Sequence, residues 1–142
     1  MAEITAKLIA GTVVRLTNGR HTWTGDEPID QQGTDTGPTP YEMLLGSLAA
    51  CTCITLALYA RHKGIALRSV TTSYEYKRVH ADDCEEWEDI KTGFIDHITT
   101  NVVIAGDFDE TQRQRLAQVA TRCPVHKTLK NGVAFSDKVR FV

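Results

Sequence analysis

The chain has 142 residues, of which 42% are hydrophobic and 24% are charged, and its formal net charge is −2. This length suffices to bury a real core, so we predict a single domain over residues 1–142. The slightly acidic balance argues against a nucleic-acid-binding protein, whose surface would be basic, and the apolar content argues against a disordered tail.

The first residues, MAEITAKLIAG, lack a charged segment followed by a long apolar stretch. We therefore expect no signal peptide and a cytoplasmic protein. In a reducing compartment, the four cysteines of the chain are more typical of reactive thiols or metal ligands than of permanent disulfides.

The N-terminal part is predicted to form strands and then a loop. A β-branched run, ITAKLIAGTVVRLT, precedes Asn18-Gly19, and RHTWTGD follows. Asn-Gly between such runs is typical of a two-residue hairpin turn, which would put Arg20 just past the turn. The next segment, EPIDQQGTDTGPTP, is rich in turn residues and predicts a loop.

A long central helix is predicted to run to about His62. Thr39 is the expected N-cap, Pro40 suits the first helical position, and Glu42 stands where a capping box needs a carboxylate. Gly64 is expected to end the helix.

The run Met43–Ala60 within this helix is uncharged and apolar all round. A membrane-spanning helix would share that pattern, and so would the buried centre of a globular fold. Because the flanking segments read as amphipathic strands, we interpret the helix as a buried centre and expect no membrane association.

The second half of the chain predicts more strands and a second helix. LRSVTTSYEYKRVH and FIDHITTNVVIAG alternate like two longer strands, separated by an acidic loop that includes Asp82–Asp89. Asp107 or Asp109 is expected to cap the helix ETQRQRLAQVATRC, CPVHKTLKNG either continues it or opens a new turn, and VAFSDKVRFV predicts a final strand. The pattern indicates an α+β fold, with an antiparallel sheet packed on helices.

Two of the cysteines, Cys51 and Cys53, lie in the central helix. Residues two apart on a helix point about 200° away from each other, so these thiols cannot form a disulfide together or bind one metal ion. At most one of them faces a given site, and the other is most simply a small buried hydrophobe.

Cys123 lies in the segment RCPVH and has two interpretations. If Pro124 opens a helical turn, Cys123 is its N-cap, where the helix dipole and Arg122 would favour the thiolate. Alternatively, Cys123 closes the apolar stripe of the second helix. His126 shares the face of Cys123 and is either a proton donor or a partner of a backbone carbonyl.

Two groups of residues are candidate metal sites, and neither has the spacing of a strong motif. A loose cluster in the acidic region would use His80, Asp82 and Cys84. A zinc site would need pairs of ligands from turns, which the helical positions of Cys51 and Cys53 do not offer to Cys123 and His126. We predict no metal and no cofactor.

The segment GPTPYEMLLGSLAACTCITLALYARHKG, followed about seventy residues later by ATRCPVHKTL, resembles the OsmC/Ohr family of osmotically induced and organic hydroperoxide resistance proteins. The similarity is greatest to the OsmC-like branch. It implies antiparallel sheets packed around a long buried central helix, in an intertwined homodimer with its sites at the subunit interface.

The resemblance also implies an activity, that of a thiol-dependent peroxidase acting on organic hydroperoxides, with hydrogen peroxide as a further candidate. Cys51 matches the peroxidatic cysteine and Cys123 the resolving one, an external thiol reduces their disulfide, and Cys53 matches no catalytic position. Arg20 matches the arginine that holds the thiolate ionised, with Arg15 as its substitute. An apolar lining suits a carbon-tailed substrate, and helical spacing predicts Leu44, Leu48, Thr55 and Leu58 around Cys51.

One departure concerns the glutamate that supports the arginine in the family. Tyr41 occupies its position, and Glu42 follows, which nine residues of helix would put on the face opposite Cys51. Glu42 is therefore either a catalytic residue or a helix cap, and Tyr41 is a candidate replacement donor. The shifted glutamate supports an alternative, a slow-turnover redox-sensing or ligand-binding dimer with the same cysteines, and the cluster of His80 and Cys84 supports a third, a metal-binding module.

Overall fold

The structure is a computed structural model that describes residues 1–80 and 93–142, with only the backbone of His80. Contacts divide the chain into two compact units, Met1–Gly46 and Ser47–Val142. The single domain stays a prediction. The predicted acidic loop, with Asp82 and Cys84, lies outside the described residues.

The first unit contains a three-stranded antiparallel sheet in the order β1 (Thr5–Ala10), β2 (Val13–Thr17) and β3 (Thr22–Gly25). The β-branched run that precedes Asn18 therefore forms two strands rather than one. Gly11 lies in the turn between them with φ +56, a conformation that a residue without a Cβ adopts at little cost.

The turn between β2 and β3 differs from the two-residue turn predicted. The last strand pair is Thr17 with Thr22, so the turn has four residues and Arg20 lies within it rather than past it. The Asn18 side-chain carbonyl accepts the backbone N–H groups of Arg20 at 3.0 Å and His21 at 2.8 Å. This side-chain turn of Asn18 satisfies the backbone of a longer loop, which explains the difference.

The loop after β3 is organised by Asp26, whose carboxylate is buried. It accepts hydrogen bonds from the hydroxyls of Thr12 at 2.6 Å, Thr34 at 2.5 Å and Thr36 at 2.9 Å. These bonds, led by the one from Thr12, hold the pKa of Asp26 far below its usual range. The carboxylate thereby joins the first turn of the sheet to the loop that precedes the central helix.

The central helix α1 is Pro40–Lys63, and both of its predicted ends are confirmed. The Thr39 N–H donates to the Glu42 carboxylate at 2.8 Å, and the Glu42 N–H donates to the Thr39 hydroxyl at 3.2 Å, which is a capping box. At the other end, Gly64 has φ +65 and the Ile65 N–H donates to the Ala60 carbonyl at 2.8 Å, as in a Schellman motif.

The second unit buries one stripe of α1, formed by Leu48, Thr52, Leu56 and Ala60. In the single chain another face of α1 is exposed, with Ile54 57% exposed and Leu58 54% exposed. By length and composition, α1 is the one helix of the described residues that could cross a membrane. That evidence is weak, since the core helix of a soluble protein has the same length and composition.

Two long antiparallel strands, β4 (Leu67–His80) and β5 (Phe94–Gly106), form the sheet of the second unit. Thr72 and Tyr74 of β4 face α1, and the hydroxyl of Tyr74 lies 2.7 Å from that of Thr52. The ladder pairs Leu67 with Gly106 and Ser69 with Ala105, so a bulge interrupts the register between them.

Two helices follow the sheet: α2 (Glu110–Ala120) and α3 (Pro124–Asn131). Asp109 caps α2 in a capping box with Gln112, which confirms one of the two predicted caps. The predicted final strand is wrong, since residues 132–142 contain no strand. A strand exists only when it pairs with another, and neither described sheet includes this segment.

Candidate functional site

Cys51 and Cys53 lie on α1, and both are half-buried. The Cys51 Sγ lies 4.0 Å from the Thr55 hydroxyl, one turn further along the same helix. The Cys53 Sγ lies 3.8 Å from the Thr72 hydroxyl of β4. The two thiols therefore contact different neighbours, as expected from their spacing, and Cys53 belongs to the packing of α1 on the sheet.

Cys123 is the N-cap of α3 and is fully buried. Pro124 follows it at the first helical position, and the backbone N–H of His126 donates to the Cys123 Sγ at 3.3 Å. The first interpretation of this cysteine is thereby confirmed, because α2 has already ended at Ala120. An N–H aimed at sulfur at a helix N-terminus is suited to stabilise negative charge there.

Cys51, Cys53 and Cys123 are free thiols among the described cysteines. A cavity of about 420 Å³ is bordered by α1, the β4–β5 sheet and α3. Cys51 and Cys53 lie on α1, and Cys123 is the N-cap of α3. Leu48, three residues before Cys51, and His126, three residues after Cys123, both line it. Each of the two predicted catalytic cysteines is thus one helical turn from a lining residue.

The lining of this cavity combines apolar and hydrogen-bonding groups. Its apolar and aromatic wall comes from Leu48, Tyr74, Ile98 and Leu129, and its imidazoles are His97 and His126. A cavity of this kind accepts a small molecule with a carbon tail and a polar reacting group. Of the residues predicted to surround Cys51, Leu48 lines the cavity and Thr55 contacts the thiol, whereas Leu58 is exposed.

The arginines predicted for the site lie in the first unit. Arg20 is exposed in the β2–β3 turn, and Arg15 is exposed on β2, opposite Thr24. Their predicted contact with the Cys51 thiolate stays a prediction.

Glu42 is exposed, and its carboxylate is the partner of the Thr39 N–H. Its capping role is therefore confirmed, while the catalytic role stays a prediction, as does that of the neighbouring Tyr41. Because the capping bond already fixes one carboxylate oxygen, a catalytic role would require Glu42 to serve two partners or to exchange one for the other.

Within residues 1–79 and 93–142, no three side chains of His, Cys, Asp or Glu cluster closely enough to hold a metal ion. The predicted cluster of His80, Asp82 and Cys84 falls outside this part of the chain. The metal-binding alternative therefore stays a prediction.

Sequence reasoning missed the pair formed by Thr52 and Tyr74 and the position of His97 at the cavity. The alternation of β4 was the available signal, since it places Thr72, Tyr74 and Tyr76 on one face. The position of His97 carried no such signal, because it depends on how α3 packs beside β5.

Residues 33–136 match the family described as OsmC-like protein. An OsmC-like protein from Mycoplasma pneumoniae is similar in structure, with 26% identity over 92% of this chain and 87% of the other and a TM-score of 0.70. An organic hydroperoxide resistance protein from Legionella pneumophila has 18% identity over 89% and 87%, with a TM-score of 0.61. No curated protein matches the chain.

The organic hydroperoxide resistance protein OhrB of Bacillus subtilis has 20% identity over 89% of this chain and 88% of its own, with a TM-score of 0.57. The two hydroperoxide resistance proteins support the fold, and the α+β architecture with two antiparallel sheets and a central helix is that of OsmC-like proteins. The predicted fold class is therefore confirmed for the single chain.

Proposed function

Because the chain belongs to the OsmC-like protein family, we propose that it is a thiol-dependent peroxidase that reduces organic hydroperoxides. Family membership supports a peroxide-related redox role in general, and the specific activity is our inference. The observation that carries it is the pair of free thiols, Cys51 and Cys123, on two helices that border one cavity.

The first step uses Cys51 as the nucleophile. Its thiolate attacks the terminal oxygen of the hydroperoxide, so an S–O bond forms and the O–O bond breaks. The alkoxide leaves with the electron pair and takes a proton to become an alcohol, and Cys51 becomes a sulfenic acid. His126 is a candidate source of that proton, because it lines the cavity.

The second step joins the two cysteines. The Cys123 sulfur attacks the sulfenic sulfur, a disulfide forms, and the hydroxyl leaves as water. Disulfide geometry requires the two Cα atoms to come within about 7 Å, so the N-terminal turn of α3 is the segment expected to adjust. An external dithiol then supplies two electrons, and it would attack the half-buried Cys51 sulfur because Cys123 is fully buried.

The remaining roles come from the resemblance and from the surface of α1. We assign Arg20 the role of stabilising the Cys51 thiolate and polarising the peroxide. Glu42 would hold Arg20 in place. We also propose a homodimer, because Ile54 and Leu58 leave an apolar face of α1 exposed in the single chain. A cytoplasmic location accords with the need for a reduced thiol.

The proposal is tested by following cumene hydroperoxide consumption in the presence of dithiothreitol. We expect Cys51→Ser to abolish turnover, because no sulfenic acid can form. Cys53→Ser is the matched control, since it removes a half-buried thiol two residues away on the same helix. Equal turnover by Cys51→Ser and the unaltered protein would contradict the proposal.

The second candidate is a redox sensor, favoured by the capping bond that holds Glu42. A sensor would form the Cys51–Cys123 disulfide with one equivalent of peroxide and then turn over slowly. Single-turnover oxidation at a rate far above the steady-state rate with excess dithiothreitol would support it. Comparable rates would support the peroxidase.

A further inference from the structure

A second cavity, of about 520 Å³, lies where the ends of β4 and β5 meet α2. It shares no lining residue with the cavity bordered by α1, the sheet and α3. Its volume is within the range of about 300–1,000 Å³ that is usual for small-molecule sites. The proposed peroxidase chemistry gives this second cavity no role.

Two exposed arginines from different elements line the second cavity. Arg68 is the extra residue of the β4 bulge, since Leu67 and Ser69 pair with consecutive residues of β5. Bulges redirect a side chain away from the regular alternation and are common beside binding sites. Arg113 reaches the cavity from the second turn of α2.

The charged residues that line this cavity are both cationic. Its lining includes Arg68 and Arg113 but no carboxylate. Neither arginine has an ion-pair partner among the described residues. The ion pair found there joins Arg78 to Asp96, which do not line the cavity. Two like charges that face one cavity repel each other, and an anion bound between them would remove that cost.

The floor of the cavity is apolar. Leu116 of α2 is 1% exposed, and Val102 and Ile104 contribute from β5. The Phe108 ring lies against Gly106, where an added Cβ would come within 2.4 Å of the ring. Glycine is therefore required at this position, and it allows an aromatic ring to complete the apolar surface.

We propose that this cavity binds an amphipathic carboxylate of low molecular weight. Arg68 and Arg113 would hold the carboxylate, since guanidinium groups match its geometry with paired hydrogen bonds. A hydrocarbon tail would lie against Phe108 and Leu116. This proposal does not depend on the peroxidase activity.

Isothermal titration of the full chain with octanoate tests the proposal, with acetate and octan-1-ol as probes of each half of the ligand. We expect octanoate to bind one site per chain, and acetate and octan-1-ol to bind at least about tenfold more weakly. Arg68→Gln and Arg113→Gln should each weaken octanoate binding by about tenfold or more, because each removes charge-assisted hydrogen bonds.

Arg115→Gln is the matched control, because Arg115 is exposed on the same helix, hydrogen-bonds Gln118 and does not line the cavity. It should leave octanoate binding unchanged, and so should Cys51→Ser, which separates this site from the peroxidase. Circular dichroism checks that each variant is folded. Unchanged octanoate binding by the folded Arg68→Gln, Arg113→Gln double variant would overturn the proposal, and so would equal affinity for acetate.

Discussion

Cys51, Cys53 and Cys123 carry the same thiol, but their neighbours differ and so do their expected reactivities. Cys53 contacts a sheet hydroxyl, Cys51 contacts a hydroxyl of its own helix, and Cys123 accepts a backbone N–H at the start of α3. The three thiols therefore differ in their hydrogen-bond partners, and the proposed mechanism assigns the nucleophile to Cys51 and the resolving thiol to Cys123.

The hydrogen-bond partners of Asp26 determine how its ionisation affects the stability of the protein at different pH values. Its pKa is lowered in the folded protein by hydrogen bonds from Thr12 first and then Thr34. The stabilisation is therefore fully present above the unfolded pKa of about 4 and is lost as the pH falls below it toward the folded pKa.

We expect Asp26→Asn to lower the melting temperature at pH 7 and to flatten the fall in stability between about pH 4 and pH 2. Thermal unfolding followed by circular dichroism at several pH values measures both effects. Asp30→Asn, at an exposed position of the same loop, is the control. An unchanged acid profile in Asp26→Asn would contradict this account of Asp26.

The packing of α1 on β4 is fixed by a hydrogen bond as well as by the apolar stripe. Thr52 is 1% exposed, so its hydroxyl depends on the partner hydroxyl of Tyr74 at 2.7 Å. Leaving a buried hydroxyl without a partner costs about 1–3 kcal/mol.

Tyr74→Phe should therefore destabilise the protein by about 1–3 kcal/mol, because it removes the partner of Thr52 and preserves the ring. Urea unfolding measures the loss. Tyr76→Phe is the control, since the Tyr76 hydroxyl donates to Asp96 at an exposed position and should cost less. Equal losses of unfolding free energy in the two variants would contradict this account, because they would show that burial of the hydroxyl partner does not determine the destabilisation.

Local sequence signals predicted the ends of the helices. Which residues meet at the cavities depends on packing between distant parts of the chain. Thr39, Glu42 and Gly64 fix the ends of α1 through contacts within a few residues, and Pro124 marks the start of α3 in the same way. The four-residue turn at Asn18 depends on side-chain hydrogen bonds that the Asn-Gly pattern does not distinguish. Helical spacing predicted Leu48 at the site, but the cavity residues come from elements far apart in the sequence, and no local pattern predicts that these elements meet.

One chain leaves apolar surface exposed on α1 and in its C-terminal segment. Ile54 and Leu58 lie on the face of α1 that the second unit does not bury. Phe135 and Phe141 in the C-terminal segment are 81% and 95% exposed. Apolar surface of this extent is typical of a chain that associates with another copy.

We expect the unaltered protein to be a dimer, and Leu58→Asp to shift it toward the monomer because a charge on an apolar interface must be desolvated. Sedimentation velocity measures the mass at several concentrations. Ile29→Asp, at a residue that is 76% exposed outside α1, should leave the dimer intact. A monomeric unaltered protein at high concentration would contradict the proposed assembly.

The proposed mechanism requires that Cys51 and Cys123 form a disulfide when the protein meets a hydroperoxide. The most direct measurement is peptide mass spectrometry after one equivalent of cumene hydroperoxide, with free thiols alkylated before digestion. We predict a disulfide-linked pair of peptides containing Cys51 and Cys123, absent from the reduced protein, with Cys53 alkylated. Alkylated Cys123 together with an oxidised but unlinked Cys51, or a disulfide that uses Cys53, would contradict the account.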